Sequence, residues 1–283
     1  MSPPVWLITG ASHGFGLLLC LKALGAGHRV VGSVRSRAKA SAAVQQIEAA
    51  GGKVIELDLA ESKASIDEKV KGVGQIDYLV NNAGFFVMGA VEQFSEKEAT
   101  LQFQTNFFGP LFVLQAALPG MRARRTGTIV NLSSVAAKDP QATSALYSAS
   151  KGAIESLSDG LAKEVAPFNI SVLVVEPGAF RTNFLAALNR CEAPLPPDYA
   201  GTPADQLMGV YVSQDGKQVG DPQKGVDRIF EAVVGEGVAG HLKGKVTRLV
   251  LGRDSLERMR RATGKFLEDL ALGEEVATST AYE

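Results

Sequence analysis

Tyr147 and Lys151 stand four residues apart in the run Tyr147, Ser148, Ala149, Ser150, Lys151. On a helix that spacing puts both side chains on one face. A phenol titrates near about pH 10, too high for efficient proton exchange at neutrality. A cation one turn away favours its phenolate and makes it a better proton-transfer group. Ser134, upstream, carries a hydroxyl that can bind and polarise a substrate oxygen beside the phenol; Ser133 is the neighbouring alternative. A second device lies at the start of the chain, where Thr9 leads into Gly10, Gly14 and Gly16. Glycines between a strand and a helix let the backbone approach a phosphate and aim free N–H groups at it. A tight structural turn is the plain alternative, and the strand-to-helix position favours the phosphate cradle.

These groups need a scaffold that brings distant segments together. Val5 to Thr9 is a short apolar run between Pro4 and Gly10 and reads as a buried strand. Further strands are predicted at 29–33, 53–57, 77–80, 128–132, 170–175 and 246–251. Helices are predicted at 17–26, 39–50, 63–71, 95–121 and 146–165, with Ser95 and Glu98 fitting a capping box. This alternation predicts an α/β fold, a doubly wound, mostly parallel sheet in a single domain over 1–283. Ligands of such sheets bind outside the carboxyl ends of the strands, where Gly10, Ser134 and the Pro177-Gly178 pair all fall. Residues 179–224 break the alternation with Pro194, Pro196, Pro197 and Pro203. They read as a substrate-side loop or lid, against plain peripheral decoration. A helical pattern covers 254–272, and 274–283 reads as a frayed, flexible tail.

The ordered set Thr9-Gly10, Gly14, Gly16, then Asn81-Asn82-Ala83-Gly84, Asn106, Ser134, Tyr147 with Lys151, and Pro177-Gly178 resembles the classical short-chain dehydrogenases/reductases. The resemblance runs from residue 5 to 182 and resumes weakly at 248–252. It implies a Rossmann-type sheet of about seven strands. It also implies a nicotinamide dinucleotide held by Gly10, Ser12, His13, Gly14, Phe15 and Gly16 at the turn, by Asp58 and Leu59 near the adenine, and by Asn82, Ala83 and Gly84 along the adenosine-side ribose and phosphates. Tyr147 and Lys151 would meet the nicotinamide-side ribose, with Pro177, Gly178 and Thr182 around the nicotinamide. Asn106, Ser134, Tyr147 and Lys151 would form the catalytic set, the Asn106 side chain holding a water linked to Lys151 and its backbone permitting a helix irregularity.

The end of the second strand separates NAD from NADP. An acidic residue there binds ribose hydroxyls, but this chain has Val34 followed by Arg35. A guanidinium matches a 2′-phosphate, so NADP is expected, with His13 as a second contact and Arg37 in reserve. Phe85, Phe86, Val87, Met88, Phe180, Phe184 and Leu185 offer an apolar pocket if their loops converge. That implies a small to medium hydrophobic carbonyl compound or alcohol, interconverted in the reductive direction under NADP.

Lys plus Arg total 29 and Asp plus Glu total 30, a net charge of −1, so no nucleic-acid surface is expected. The basic cluster of Arg122, Arg124 and Arg125 reads as a solvated helix end. Cys20 and Cys191 have no metal or redox spacing, and no apolar run approaches a membrane span. With no basic leader or signal-peptide core evident, a reducing, cytoplasmic setting is expected. The helices at 95–121 and 146–165 could pair copies into a homodimer or homotetramer. A non-catalytic NADP-binding regulator and an isomerase or dehydratase on the same fold are the competing functions.

Overall fold

The computed structural model describes residues 2–282. Apolar runs that alternate with amphipathic ones build a layered molecule. β1 (Val5–Ile8), α1 (Gly14–Gly25), β2 (Arg29–Val34), α2 (Ser41–Ala49), β3 (Lys53–Glu56), α3 (Lys63–Lys71) and β4 (Tyr78–Asn81) form the first half. After the short β5 (Val87–Met88), α4 (Glu96–Phe103) and α5 (Gly109–Arg124) lead to β6 (Gly127–Leu132), α6 (Ala145–Val165) and β7 (Ile170–Pro177). Then come β8 (Asn189–Arg190), α7 (Pro203–Ser213), α8 (Pro222–Val234), β9 (Arg248–Leu251) and α9 (Arg253–Thr278).

The main sheet has seven strands in the order β3-β2-β1-β4-β6-β7-β9. Every pairing in it is parallel, with Leu7 opposite Val31 on one side and Leu79 on the other. This is the expected doubly wound sheet. Its order turns back between β1 and β4, and there the loops after the two strands diverge and open a crevice. The central strands are apolar on both faces because helices cover both. One core joins Trp6, Ile8, Leu19 and Ile47 to Val226 and Ile229 of α8. The other joins Leu7, Leu79 and Ile129 to Ile66, Leu114 and Leu161 of α3, α5 and α6.

The helix predicted over 95–121 is interrupted. Ser95 caps α4 through the expected box with Glu98, but Gln104–Phe108 forms a π-helical turn before α5 begins. Wider turns of this kind cluster at functional sites, and Asn106 is at its centre. The 179–224 excursion has structure of its own. β8 pairs with β5, Val87 opposite Asn189 and Met88 opposite Arg190, so the excursion crosses the carboxyl edge to the loop that follows β4. The C-terminal helix extends past the predicted 272 to Thr278, into the stretch from Glu274 where the sequence suggested fraying; Glu283 lies outside the described residues.

Candidate active site

The cradle after β1 is set by backbone geometry. Gly10 has φ +69, and a Cβ there would stand 2.7 Å from the Ala83 Cα. A Cβ on Gly16 would strike the Gly10 carbonyl and the Asn82 carboxamide. The turn therefore packs directly on the strand end at 82–83, and only glycine fits. Asn82 Nδ2 donates to the Thr9 and Gly10 carbonyls at 2.9 and 3.1 Å, and the backbone N–H groups of Asn82 and Ala83 donate to Thr9 Oγ1. Gly14 opens α1 and faces Thr182, whose Cβ would lie 3.4 Å from an added Cβ. These contacts leave the start of α1 open for the phosphates of a dinucleotide, and a free helix start suits them.

The expected contacts divide around this turn. The Phe15 ring packs edge-on against Phe180 at 5.0 Å, so its side chain belongs to the core and only its backbone can serve a ligand. Burial lowers the His13 pKa and keeps the imidazole neutral, which weakens it as a phosphate contact. Asp58 accepts from the Ala60 N–H, and Leu59 is buried in the core beside Gly109. Arg37 is held in place, donating to the Val54 carbonyl and to Glu48, both at 2.7 Å. Arg35 is exposed and makes no side-chain hydrogen bond or ion pair among the described residues.

Tyr147, Lys151 and Ser134 converge where the carboxyl ends of β4 and β6 meet α6. Tyr147 and Lys151 share one face of α6, the ammonium 5.9 Å from the phenol ring centroid. Lys151 Nζ donates to the Leu132 carbonyl at 2.6 Å, leaving two of its three protons for a ligand. Gly84 closes the other side, an added Cβ standing 3.3 Å from Lys151 Nζ and 3.2 Å from Asn106 Oδ1. Ser134 stands beside the phenol, and its hydroxyl accepts from the Ala136 N–H at 3.2 Å. Ser133 points away, its hydroxyl donating to Glu155 at 2.6 Å.

The electrostatics differ from the simple expectation. Burial pushes the Tyr147 pKa up to about 12, against the neighbouring Ser134 hydroxyl, which lowers it. The same burial brings Lys151 down to about 8, with Glu155 partly resisting. The lysine does not overcome the desolvation of the phenol, so at neutral pH Tyr147 carries its proton. Asn106 is also more committed than expected. Its Nδ2 donates to the Phe85 carbonyl and Ser150 Oγ, both at 3.0 Å, and its Oδ1 accepts from the Phe85 N–H. Both N–H donors are thus occupied, and the side chain holds the 84–85 loop against α6 rather than offering a whole carboxamide to water.

Beside the phenol lies a separate apolar cluster of Phe86, Met88 and Tyr147, flanked by Phe184, Leu188, Met208 and Tyr211. Phe86 and Phe184 approach the Tyr147 ring at centroid distances of 4.8 and 5.8 Å. Phe86, Met88 and Phe184 thus gather beside the phenol, whereas Phe180 packs into the core against Phe15. The sequence reading missed Met208 and Tyr211 of α7, because nothing local marks a lid helix as facing a particular strand end.

It also missed a buried ionic cluster behind Lys151. Glu155, one turn further along α6, and Glu176 of β7 are both essentially inaccessible. Arg248 Nη1 reaches Glu155 at 2.9 Å and Glu176 at 2.6 Å, its Nη2 reaches Asp159 at 2.6 Å, and Lys138 adds a contact to Glu155 at 3.0 Å. A signal existed, since Glu176 interrupts an otherwise apolar strand and a lone buried charge requires a partner. Another missed residue, Asp254, accepts from the Ala179 N–H at 2.7 Å and packs on Gly178, fixing the turn that follows Pro177.

The short chain dehydrogenase family profile matches residues 4–193. The chain belongs to this family. It is similar to the oxidoreductase claN of Passalora fulva, 45% identical over 185 residues that make up 64% of this chain and 84% of that protein. It is similar also to human retinol dehydrogenase 8, 35% identical over 68% of this chain and 65% of that one. A short-chain dehydrogenase from Streptomyces avermitilis superposes with a TM-score of 0.87 at 36% identity, covering 99% of this chain and 100% of that structure. This family member is an oxidoreductase that interconverts a carbonyl and an alcohol with a nicotinamide dinucleotide. Among the described residues no helix is long and apolar enough to cross a membrane, and no cluster of His, Cys, Asp and Glu could hold a metal.

Proposed function

We propose that the enzyme is an NADP-dependent reductase of small to medium hydrophobic carbonyl compounds, with Tyr147 as the proton donor. The observation that carries this reading is the Tyr147 phenol, one helical turn from the Lys151 ammonium and packed against the apolar rings of Phe86 and Phe184. A nearby cation stabilises the phenolate left as the proton departs, and an aromatic wall suits an apolar substrate.

The bound nucleotide supplies the hydride. Tyr147 Oη delivers a proton to the substrate oxygen as negative charge develops there. Ser134 Oγ orients that oxygen by a hydrogen bond and helps stabilise the charge. Lys151 turns its remaining N–H groups to ribose hydroxyls and keeps a positive charge near the phenol as the proton leaves. Asn106 holds the 84–85 loop in register with α6, and the aromatic wall excludes water, which strengthens each of these interactions. The test is a panel of apolar ketones and aldehydes followed by nucleotide absorbance. Turnover of polar sugars alone would reject the substrate class, and tight NADPH binding without turnover of any carbonyl would reject the activity.

NADP preference rests on Arg35, the exposed cation after β2, because Arg37 is held by Glu48 and Val54 and burial keeps His13 neutral. Arg35→Asp should raise the KM for NADPH by about tenfold to a hundredfold, the value of one or two charge-assisted hydrogen bonds, and improve relative use of NADH. Arg37→Ala should lower stability and leave the preference intact. Steady-state kinetics with both nucleotides decides, and an unchanged ratio in the Arg35 variant rejects the assignment.

The pH profile should separate the two titrating groups. Lys151 loses its charge as pH rises through about 8, while Tyr147 keeps its proton to about 12. The kcat/KM for NADPH, which reports the free enzyme, should therefore fall on the alkaline side near pH 8. Lys151→Arg should remove that limb at a lower overall rate. A limb that persists unchanged in this variant belongs to another group.

A further inference from the structure

α9 is 26 residues long, about 39 Å at the usual rise, and only its first half lies on the body of the protein. Ser255 is buried and its hydroxyl donates to the Glu176 carbonyl at 2.9 Å. Arg258 and Arg261 both clamp onto Asp139, at 2.7 and 2.6 Å. Beyond Gly264 the helix leaves the surface. Phe266, Leu267 and Leu270 are 63%, 59% and 53% exposed, and Leu256, on the same side near the start, is 41% exposed. A helix that keeps an apolar stripe in water over this length has a face made for a partner.

Charge on the same helix identifies that partner. From Arg253 to Lys265 there are five cations (Arg253, Arg258, Arg260, Arg261, Lys265) and two anions (Asp254, Glu257), a balance of +3. From Phe266 to Thr278 there are four anions (Glu268, Asp269, Glu274, Glu275) and no cation, a balance of −4. Lys265 also pairs with Asp269 within the helix, at 2.9 Å. A segment that is basic at one end, acidic at the other and apolar along one side is complementary to its own reverse. We propose that two copies of this chain pair through antiparallel α9 helices, with Phe266 and Leu270 near the twofold axis. The acidic end of each helix then lies on the basic start of the other, with Arg260 in reach of the partner's Glu274 and Glu275. A parallel pair would oppose like charges at both ends. Because the contact is isologous, it closes at two copies. It is separate from any pairing through α5 or α6.

Analytical ultracentrifugation of the full chain across a concentration series tests this. Glu274→Lys with Glu275→Lys, and separately Arg253→Glu with Arg260→Glu, should each weaken the dimer by about tenfold or more, as like charges then face one another across the pair. An equimolar mixture of the two double variants should form a heterodimer whose affinity exceeds either homodimer. Phe266→Glu with Leu270→Glu should abolish this association with the fold intact by circular dichroism. A monomer at every concentration overturns the proposal, as does a dimer indifferent to all these changes. Sedimentation with zwitterionic vesicles covers the other occupant: a monomer that binds vesicles through Phe266 and Leu270 also overturns it.

Discussion

Tyr147→Phe should lower kcat by about two to four orders of magnitude, the range for loss of a positioned general acid, with NADPH affinity close to that of the unaltered enzyme. The substitution removes one oxygen and keeps the ring that packs on Phe86 and Phe184, so the pocket wall survives. It also removes a buried hydroxyl, and losing one neutral hydrogen-bonding group changes stability by about 1 kcal/mol, too little to mimic a catalytic defect. Single-turnover kinetics separates the chemical step from nucleotide binding. Turnover within a few fold of the unaltered enzyme would remove Tyr147 from the mechanism. Lys151→Ala should differ in kind, because Lys151 bears on both nucleotide and proton transfer, so affinity and rate should fall together.

The second large effect is on stability. Arg248→Ala should destabilise the fold by about 3–5 kcal/mol, the usual cost of leaving buried charge without its partner. Arg248 bridges Glu155 and Glu176, and each carboxylate is almost wholly inaccessible. Burial and the neighbouring Glu155 already raise the Glu176 pKa, with Arg248 opposing them; without the arginine it rises further. The native state then holds a proton that the unfolded chain has lost, so stability falls as pH climbs from the ordinary carboxylate range to the raised value. The deficit in Arg248→Ala should be largest at neutral pH and smallest in mild acid. Adding Glu176→Gln should recover part of it by removing one of the two like charges. Urea midpoints at two pH values check both statements. A pH-independent loss would mean that the arginine acts through packing alone. Since Glu155 lies one turn from Lys151 and Ser133 ties it to the end of β6, a disturbed cluster should also shift the alkaline limb of the rate profile.

Much of the scaffold was legible because its signals are local. A buried parallel strand is a short apolar run, and a glycine pair or proline marks its end. Such patterns located all seven strands of the main sheet to within a few residues, and Lys63–Lys71 at its bounds. The π-helical turn at Gln104–Phe108 was legible only through the family resemblance and not from local pattern, since Asn106 reaches Phe85 and Ser150 in other segments. In sequence Arg35 ranked above Arg37 only by its place directly after the second strand. The folded chain holds Arg37 on Glu48 and Val54 and gives Arg35 no side-chain partner among the described residues.

By itself the sequence determined the α/β alternation, the glycine turn, and the shared face of Tyr147 and Lys151, because each depends on residues adjacent along the chain or one helical turn apart. The tertiary structure alone decided which rings face the phenol and that Glu155, Glu176 and Arg248 meet. It also reversed the expected balance at the reacting pair. Spacing announces that an ammonium is near a phenol, but the proton affinity of each depends on how much water remains around them, and that is settled by loops more than thirty residues away in either direction.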